Sequence, residues 1–324
     1  MIGYAPNAVR KRSISNAWTI DSAQRFAGQY QGDDMKPIER QTILITGATD
    51  GIGKLTALQL AARQARVIVH GRNKEKVARV VTEIRKCAGN SRIEGYTADL
   101  TSLSLVRGLA EEVLAKHSGL DVLINNAGAG SADPRLSADG YELRFAVNHL
   151  APFLLTHRLL PALRNAAPAR IVNVASAGQH PIDFADVMLE KDFEGFRAYC
   201  QSKLALIMFT IDLAARLQKD RITVTSLHPG TFLDTNMVRR AGVEPRGDPQ
   251  SGADAVAFLA TAPELEGVTG KYFDEKVESK ALEQAYDEKA RKQLWDLSTQ
   301  LTGLSPISMQ QHSTRRAGAG AAGT

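Results

Sequence analysis

The chain has 324 residues, 44% of them hydrophobic and 23% charged, a composition that buries enough apolar surface to offset the entropy of ordering and so excludes disorder as the dominant state. No run reaches the roughly 18 uninterrupted apolar residues of a membrane-spanning helix, and two cysteines, Cys87 and Cys200, cannot make a disulfide scaffold or a four-cysteine zinc site. Of the net charge of +5, residues 1–40 and the last twenty residues each hold +2 and residues 41–304 only +1, so the isoelectric point near 9.2 describes the ends and argues against a nucleic-acid-binding body.

Residues 1–40 read as an N-terminal extension. They contain the basic cluster Arg10-Lys11-Arg12 without the apolar core of a signal peptide, and a short amphipathic segment with Phe26 and Tyr30 one turn apart. The cytoplasm is therefore the expected location. From residue 41 to 304, short β-branched runs alternate with helical stretches. Strands are expected at 42–45, 66–69, 92–96, 120–124, 170–174 and 221–226, with a late edge near 271–273. They are almost continuously apolar, as strands covered on both faces are. Between them, Leu55, Leu58 and Ala62, then Val77, Val80, Val81 and Ile84, recur at helical spacing. Alternating strands and helices predict an α/β fold: one domain built on a doubly wound parallel sheet with right-handed crossovers. The tail at 305–324, almost all Gly and Ala after Arg316, is expected to be disordered.

The first strand runs into Thr46-Gly47-Ala48-Thr49-Asp50-Gly51-Ile52-Gly53 and then helical sequence. Glycines allow a sharp turn and a close ligand, and the free amides at a helix start attract phosphate, so Gly47, Thr49, Asp50, Gly51, Ile52 and Gly53 are expected around a dinucleotide. Lys54 raises a nucleoside-triphosphate loop as a rival. That motif fails here, with five residues instead of four between Gly47 and Gly53 and Leu55 where a magnesium-binding hydroxyl belongs.

Three further motifs follow: Asn125-Asn126-Ala127-Gly128 closing the fourth strand, Ser176 ending the fifth, and Tyr199-Cys200-Gln201-Ser202-Lys203 on a helix. Their order and intervals resemble the short-chain dehydrogenase/reductase family over residues 41–304. Tyr-Cys-x-Ser-Lys-Leu-Ala at 199–205 and Gly270-Lys271-Tyr272-Phe273 resemble its retinol-dehydrogenase-like branch. The resemblance implies a Rossmann-type domain and a nicotinamide cofactor. It places Asp99, with Leu100 beside it, at the adenine, and makes Asn148 a fourth catalytic residue. It makes residues 231–240 a mobile lid. Pro229, Gly230, Thr231 and Thr235 would contact the cofactor, although Asp234 stands where the family's nicotinamide-contacting threonine usually does. It also implies a homo-oligomer.

Cofactor choice follows from charge. An NAD site uses a carboxylate at the end of the second strand, whereas a 2′-phosphate needs a cation. Here the strand ends His70-Gly71-Arg72-Asn73, so NADP(H) is expected, held at Arg72 and Asn73. Asn126, Ala127 and Gly128 supply a small-residue floor.

Tyr199 and Lys203, four apart, share a helix face. An ammonium and a positive nicotinamide ring both favour phenolate, so the Tyr199 pKa is expected below the ordinary value near 10. Tyr199 would then exchange a proton with the substrate oxygen, Ser176 would bond the same oxygen, and Lys203 would tune the phenol and hold the ribose. Pro152 has no N–H for the carbonyl of Asn148, which is expected to hold a water that relays protons from Lys203. His149 and His157 read as packing residues, Cys200 as pointing away from the reaction, and Glu111 and Glu112 as a solvated face. The 23-residue interval from Ser176 to Tyr199, with His180, Pro181, Phe184, Val187 and Met188, is expected to roof a lipophilic pocket. The sequence thus indicates an NADP(H)-dependent oxidoreductase acting on a hydrophobic carbonyl or alcohol. The alternatives are a nucleotide-sensing or scaffold protein without turnover, and a redox-neutral isomerase or epimerase.

Overall fold

The computed structural model describes residues 35–130 and 133–304. The basic cluster, the Phe26/Tyr30 segment and the Gly/Ala tail lie outside the described residues. Seven parallel strands form most of the sheet: β1 Thr42–Ile45, β2 Arg66–Gly71, β3 Ile93–Thr97, β4 Val122–Asn125, β5 Ala169–Val174, β6 Ile222–His228 and β7 Lys271–Asp274. An eighth, β8 Val277–Ser279, was not legible in the sequence; it turns back antiparallel on β7. The sheet order is β3-β2-β1-β4-β5-β6-β7-β8. Such an order reverses direction between β1 and β4, and it leaves a crevice at their carboxyl ends.

Helices α1 Gly51–Ala62 and α2 Lys74–Ala88 cover one face together with α7 Pro249–Thr261. On the other lie α3 Leu103–Lys116, α4 Ala151–Ala166, α5 Gly195–Arg216 and α8 Glu288–Thr302. A short helix, α6 Asn236–Arg240, sits in the loop after β6. Alternate residues of each strand feed two separate cores: Leu44, Ile68 and Leu123 join one, Ile43, Val67 and Val122 the other. This is the two-sided burial that the continuous apolar runs require.

The folded body starts before residue 41. Met35 and Ile38 pack against the α1/α2 core, and Lys36 Nζ lies 2.7 Å from Asp121 Oδ1. Residues 35–40 are thus a strap on the domain, and the expected boundary moves accordingly.

Helix α5 carries the Tyr199/Lys203 pair, and its second half is clamped from outside. Trp295 of α8 lies within 5.1 Å of the Phe153 ring, 5.2 Å of His157 and 6.1 Å of Phe209, centre to centre. The Arg216 guanidinium stacks 3.8 Å above the indole. His149 and His157 belong to this aromatic seam. Burial holds their imidazoles neutral, with pKa values pushed down to about 3 and about 4, in keeping with packing roles. Removing the indole by Trp295→Ala leaves a cavity that the seam cannot fill, so unfolding free energy is expected to drop by about 3–5 kcal/mol. Urea denaturation measures it; a loss below about 1 kcal/mol would show that α8 is not the clamp.

Candidate active site

The glycine turn is built against β4. Thr46 Oγ1 accepts the amides of Asn126 and Ala127, both at 3.0 Å, and Asn126 Nδ2 donates to the carbonyls of Thr46 at 2.9 Å and Gly47 at 3.2 Å. Gly47 turns with φ +65°, and a Cβ there would meet Ala127 Cα at 2.8 Å; at Gly53 it would overlap the Asn126 amide. Two of the three glycines are therefore required by protein neighbours rather than by a ligand. Gly51 is the one that faces the lid, with the site of its missing Cβ 3.3 Å from Thr235 Cγ2.

Asp50 caps α1 by accepting the Gly51 amide at 2.8 Å. The amides of Ile52 and Gly53, also in the first turn, have no acceptor within the helix and point along its positive end, where a phosphate is favoured. Asp50 also receives Lys76 Nζ at 2.8 Å and Asn236 Nδ2 at 2.6 Å. Partial burial raises its pKa, but these bonds outweigh it and hold the carboxyl below its ordinary value. The acid in the turn is thus neutralised by Lys76 of α2 and tied to α6. Lys54 lies elsewhere, paired with Glu83 at 2.6 Å, which disposes of the triphosphate loop.

At the end of β2, Arg72 is exposed and makes no ion pair among the described residues, while Gly71 makes room for Thr49, whose Cγ2 would lie 2.5 Å from a Cβ. Asn73 is a helix cap: its Oδ1 accepts the Lys76 amide at 2.7 Å. Asp99 likewise accepts the Thr101 amide at 3.0 Å, and Leu100 is buried.

The catalytic candidates converge at the carboxyl ends of β4 and β5. Ser176 is 8% exposed; its Oγ accepts the Gly178 amide at 3.0 Å and lies near the Tyr199 phenol, whose ionised form it favours. Lys203 is 4% exposed, donates to the Val174 carbonyl at 2.8 Å, and sits 5.7 Å from the centre of the Tyr199 ring. Burial lowers the Lys203 ammonium to about 8. The expected depression of Tyr199 is reversed: desolvation lifts the phenol above its ordinary value, with the nearby Ser176 acting against it. Cys200 is buried, its thiol pushed up to about 11 by desolvation, which fits the non-nucleophilic reading.

Asn148 is fully buried within a π-helical segment, Ala146–Leu150. This wide turn, instead of an unbroken α-helix, precedes Pro152. The side chain accepts the Ala129 amide at 2.7 Å and donates to the Ala129 carbonyl at 3.0 Å and to Ser202 Oγ at 2.9 Å. Ser202 in turn donates to the Tyr199 carbonyl at 2.7 Å. Asn148 thereby fixes the loop that contains Gly128 against the helix that carries Tyr199.

In the loop after β6, Gly230 has φ +129° and the Pro229 carbonyl lies against Gly252. Thr231 Oγ1 is 3.0 Å from His228 Nε2. Thr235 caps α6 through the Val238 amide at 3.4 Å, and Met237 of α6 lies beside Gly128 and Gly130, next to Tyr199. The expected roof is only partly a roof, since Val187, Phe184 and Met188 join the sheet core.

Residues that sequence reasoning passed over complete the walls. Tyr272 on β7 donates to the Ser176 carbonyl at 3.2 Å. Gln284 accepts the Ile182 amide at 2.6 Å and donates to its carbonyl at 3.1 Å, and Gln179 Oε1 accepts the Leu282 amide at 2.7 Å. These long-range bonds strap the C-terminal segment over the 177–190 loop, and only the Gly-Lys-Tyr-Phe motif hinted at them. Buried Arg144 reaches Glu142 at 2.5 Å and the Asp133 carbonyl at 2.7 Å, and stacks 5.1 Å from the centre of the Phe193 ring.

Residues 41–245 match the short chain dehydrogenase family model. The chain is 38% identical to retinol dehydrogenase 13 of Mus musculus over 288 residues, 83% of this chain and 85% of that one. Among solved structures it superposes on a protein of Mycobacterium paratuberculosis at TM-score 0.70 and 30% identity, covering 83% and 96% of the two chains. A short chain dehydrogenase of Shigella flexneri complexed with NADP is 28% identical at TM-score 0.60, covering 75% and 100%.

The Arg144–Glu142 pair anchors the loop between β4 and α4. Arg144→Met strands a buried carboxylate and is expected to cost about 3–5 kcal/mol of stability. Adding Glu142→Gln should recover part of that loss in chemical denaturation. Equal stability of the single variant and the wild type would mean that the pair does not anchor the loop.

Proposed function

The chain belongs to the short-chain dehydrogenase family and is an oxidoreductase, and from that premise we propose that it uses NADP(H) to interconvert a hydrophobic carbonyl compound and its alcohol. When bound, NADP(H) supplies or accepts the hydride. The residues fit such a group: first-turn amides and the Gly47–Gly53 turn for the pyrophosphate, the exposed Arg72 for a 2′-phosphate, and the small residues Ala127 and Gly128, the latter beside Lys203. The solved relative complexed with NADP supports the same choice.

The observation that carries the reading is the convergence of Ser176, Tyr199 and Lys203, with Lys203 Nζ 5.7 Å from the centre of the Tyr199 ring and Ser176 near enough to the phenol to favour its ionised form. In the reductive direction Tyr199 gives its proton to the carbonyl oxygen as the carbonyl carbon receives hydride, and Ser176 donates a second hydrogen bond to that oxygen. The phenolate left behind is stabilised by the Lys203 ammonium. Lys203 also reaches the ribose, and the backbone carbonyl of Asn148 is the proposed station through which a water returns the proton. Desolvation raises the phenol and lowers the ammonium, so burial by itself disfavours the phenolate–ammonium pair and keeps the phenol protonated.

A hydrophobic substrate is supported by the rim. Phe196, 66% exposed, lies beside Gly178, and Met237, 38% exposed, lies beside Gly130; both glycines flank the Ser176/Tyr199 centre. The name of the mouse relative, retinol dehydrogenase 13, points the same way.

Tyr199→Phe is expected to lower turnover by roughly 100-fold or more, the range of a lost general acid, while NADPH binding measured by fluorescence stays within about twofold. Ordinary turnover in that variant would refute the proton-donor role. Arg72→Ala should weaken NADPH by about tenfold, the worth of one charge-assisted contact, and leave NADH nearly unchanged; equal losses for the two would refute the 2′-phosphate assignment.

A further inference from the structure

His70, one residue before the end of β2, has no role in the scheme above, yet it is 2% exposed and lies directly under the glycine turn. The Gly47 amide donates to its Nδ1 at 3.3 Å, and its Nε2 lies 3.0 Å from the Ala98 carbonyl. A carbonyl only accepts, so Nε2 carries the proton and Nδ1 is a bare acceptor: one neutral tautomer serves both neighbours. Burial favours that neutral form and takes the imidazole pKa down to about 4, against the bond to Ala98 and the charge of Asp99. The main chain joins in, with the His70 carbonyl accepting the Ala48 amide at 2.9 Å.

The geometry matters because of what each end adjoins. Gly47 turns with φ +65°, which aims its amide at β2, where an amide without an acceptor would be costly. Ala98 immediately precedes Asp99 and Leu100, the residues at the adenine side, and Arg72 follows two residues after His70. One side chain therefore spans the phosphate turn and the end of β3.

We propose that His70 is a positioning residue for the adenosine half of the dinucleotide, its imidazole setting the separation between the glycine turn and the Ala98–Leu100 wall. This rests on the assignment of the glycine turn to NADP(H). Of the two ends, the Nδ1 bond that fixes the Gly47 amide is the one that positions the turn. The Nε2 bond to Ala98 serves to hold the ring in the tautomer that leaves Nδ1 an acceptor, and the substitutions His70→Asn, His70→Gln and His70→Ala separate the two. An asparagine side chain at this position carries an acceptor where Nδ1 stands, a glutamine side chain a donor where Nε2 stands, and alanine neither.

The experiment measures binding of NADPH and of 2′-phospho-ADP-ribose, which lacks the nicotinamide, to the full-length wild type and the three variants by calorimetry, with the melting temperature of each. His70→Ala is expected to lose about tenfold or more for both ligands, as the loss of a buried bond of about 1.4 kcal/mol implies. His70→Asn should stay within about threefold of wild type, and His70→Gln should fall near the alanine variant even where its melting temperature equals that of His70→Asn. Should His70→Ala fail to fold, the Asn and Gln variants decide: equal affinities overturn the proposal. It is also overturned if His70→Ala binds 2′-phospho-ADP-ribose as wild type does. Failure of the wild type to bind either ligand instead overturns the cofactor assignment, and the proposal with it.

Discussion

Thr46 and Asn126 hold the carboxyl ends of β1 and β4 together through four hydrogen bonds of 2.9–3.2 Å. At this point the sheet order reverses, and the strand ends splay into a crevice. The junction dictates the residues around it: Gly53 is glycine because the Asn126 amide fills the place of its Cβ, and Gly47 because Ala127 does. Once the turn is pinned to β4, helix α1 starts where its first amides face the crevice. From the other side, Asn148 and Ser202 pin the loop after β4 to α5. Cofactor turn and catalytic helix are thus joined through one short segment, residues 126–130.

The catalytic end shows a contest between burial and charge. Lys203 gives a hydrogen bond to the Val174 carbonyl at the end of β5, which fixes where its ammonium can act. Burial weakens that ammonium and also opposes ionisation of Tyr199. A site arranged this way keeps the phenol protonated, which suits a proton donor better than a standing base. Tyr272 and Gln179 anchor the Ser176 carbonyl on one side, while Asn236 of α6 is tied to Asp50 on the other.

Much of this was legible in the residues. The apolar runs and helical spacings give the six central strands and the parallel character of the sheet, because two-sided burial leaves a strong local signal. Gly47, Gly51 and Gly53, Ser176, Tyr199 and Lys203 are legible because a tight turn and a one-face helix pair are local patterns. The role of each glycine was not, since it depends on Asn126, Ala127 and Thr235, which are distant in sequence. Asn73 and Asp99 also cap a helix and a turn, a use that a polar residue ahead of a helix permits. The reversed shift of Tyr199 arises from desolvation, and burial of a side chain cannot be read from its neighbours in sequence. The same reason hid His70, Tyr272, Gln284 and the Arg144–Glu142 pair, each defined by partners on other elements.

The central claim is that this site transfers hydride between a nicotinamide and a hydrophobic carbonyl. The most direct measurement follows nicotinamide absorbance at neutral pH while the purified protein is offered NADPH or NADH with a panel of long-chain and aromatic aldehydes and ketones. The account predicts substrate-dependent oxidation of NADPH, faster than that of NADH, for apolar members of the panel and little for small polar ones. Tight binding of NADPH with no oxidation across the panel, and no reduction of NADP by the matching alcohols, would contradict it.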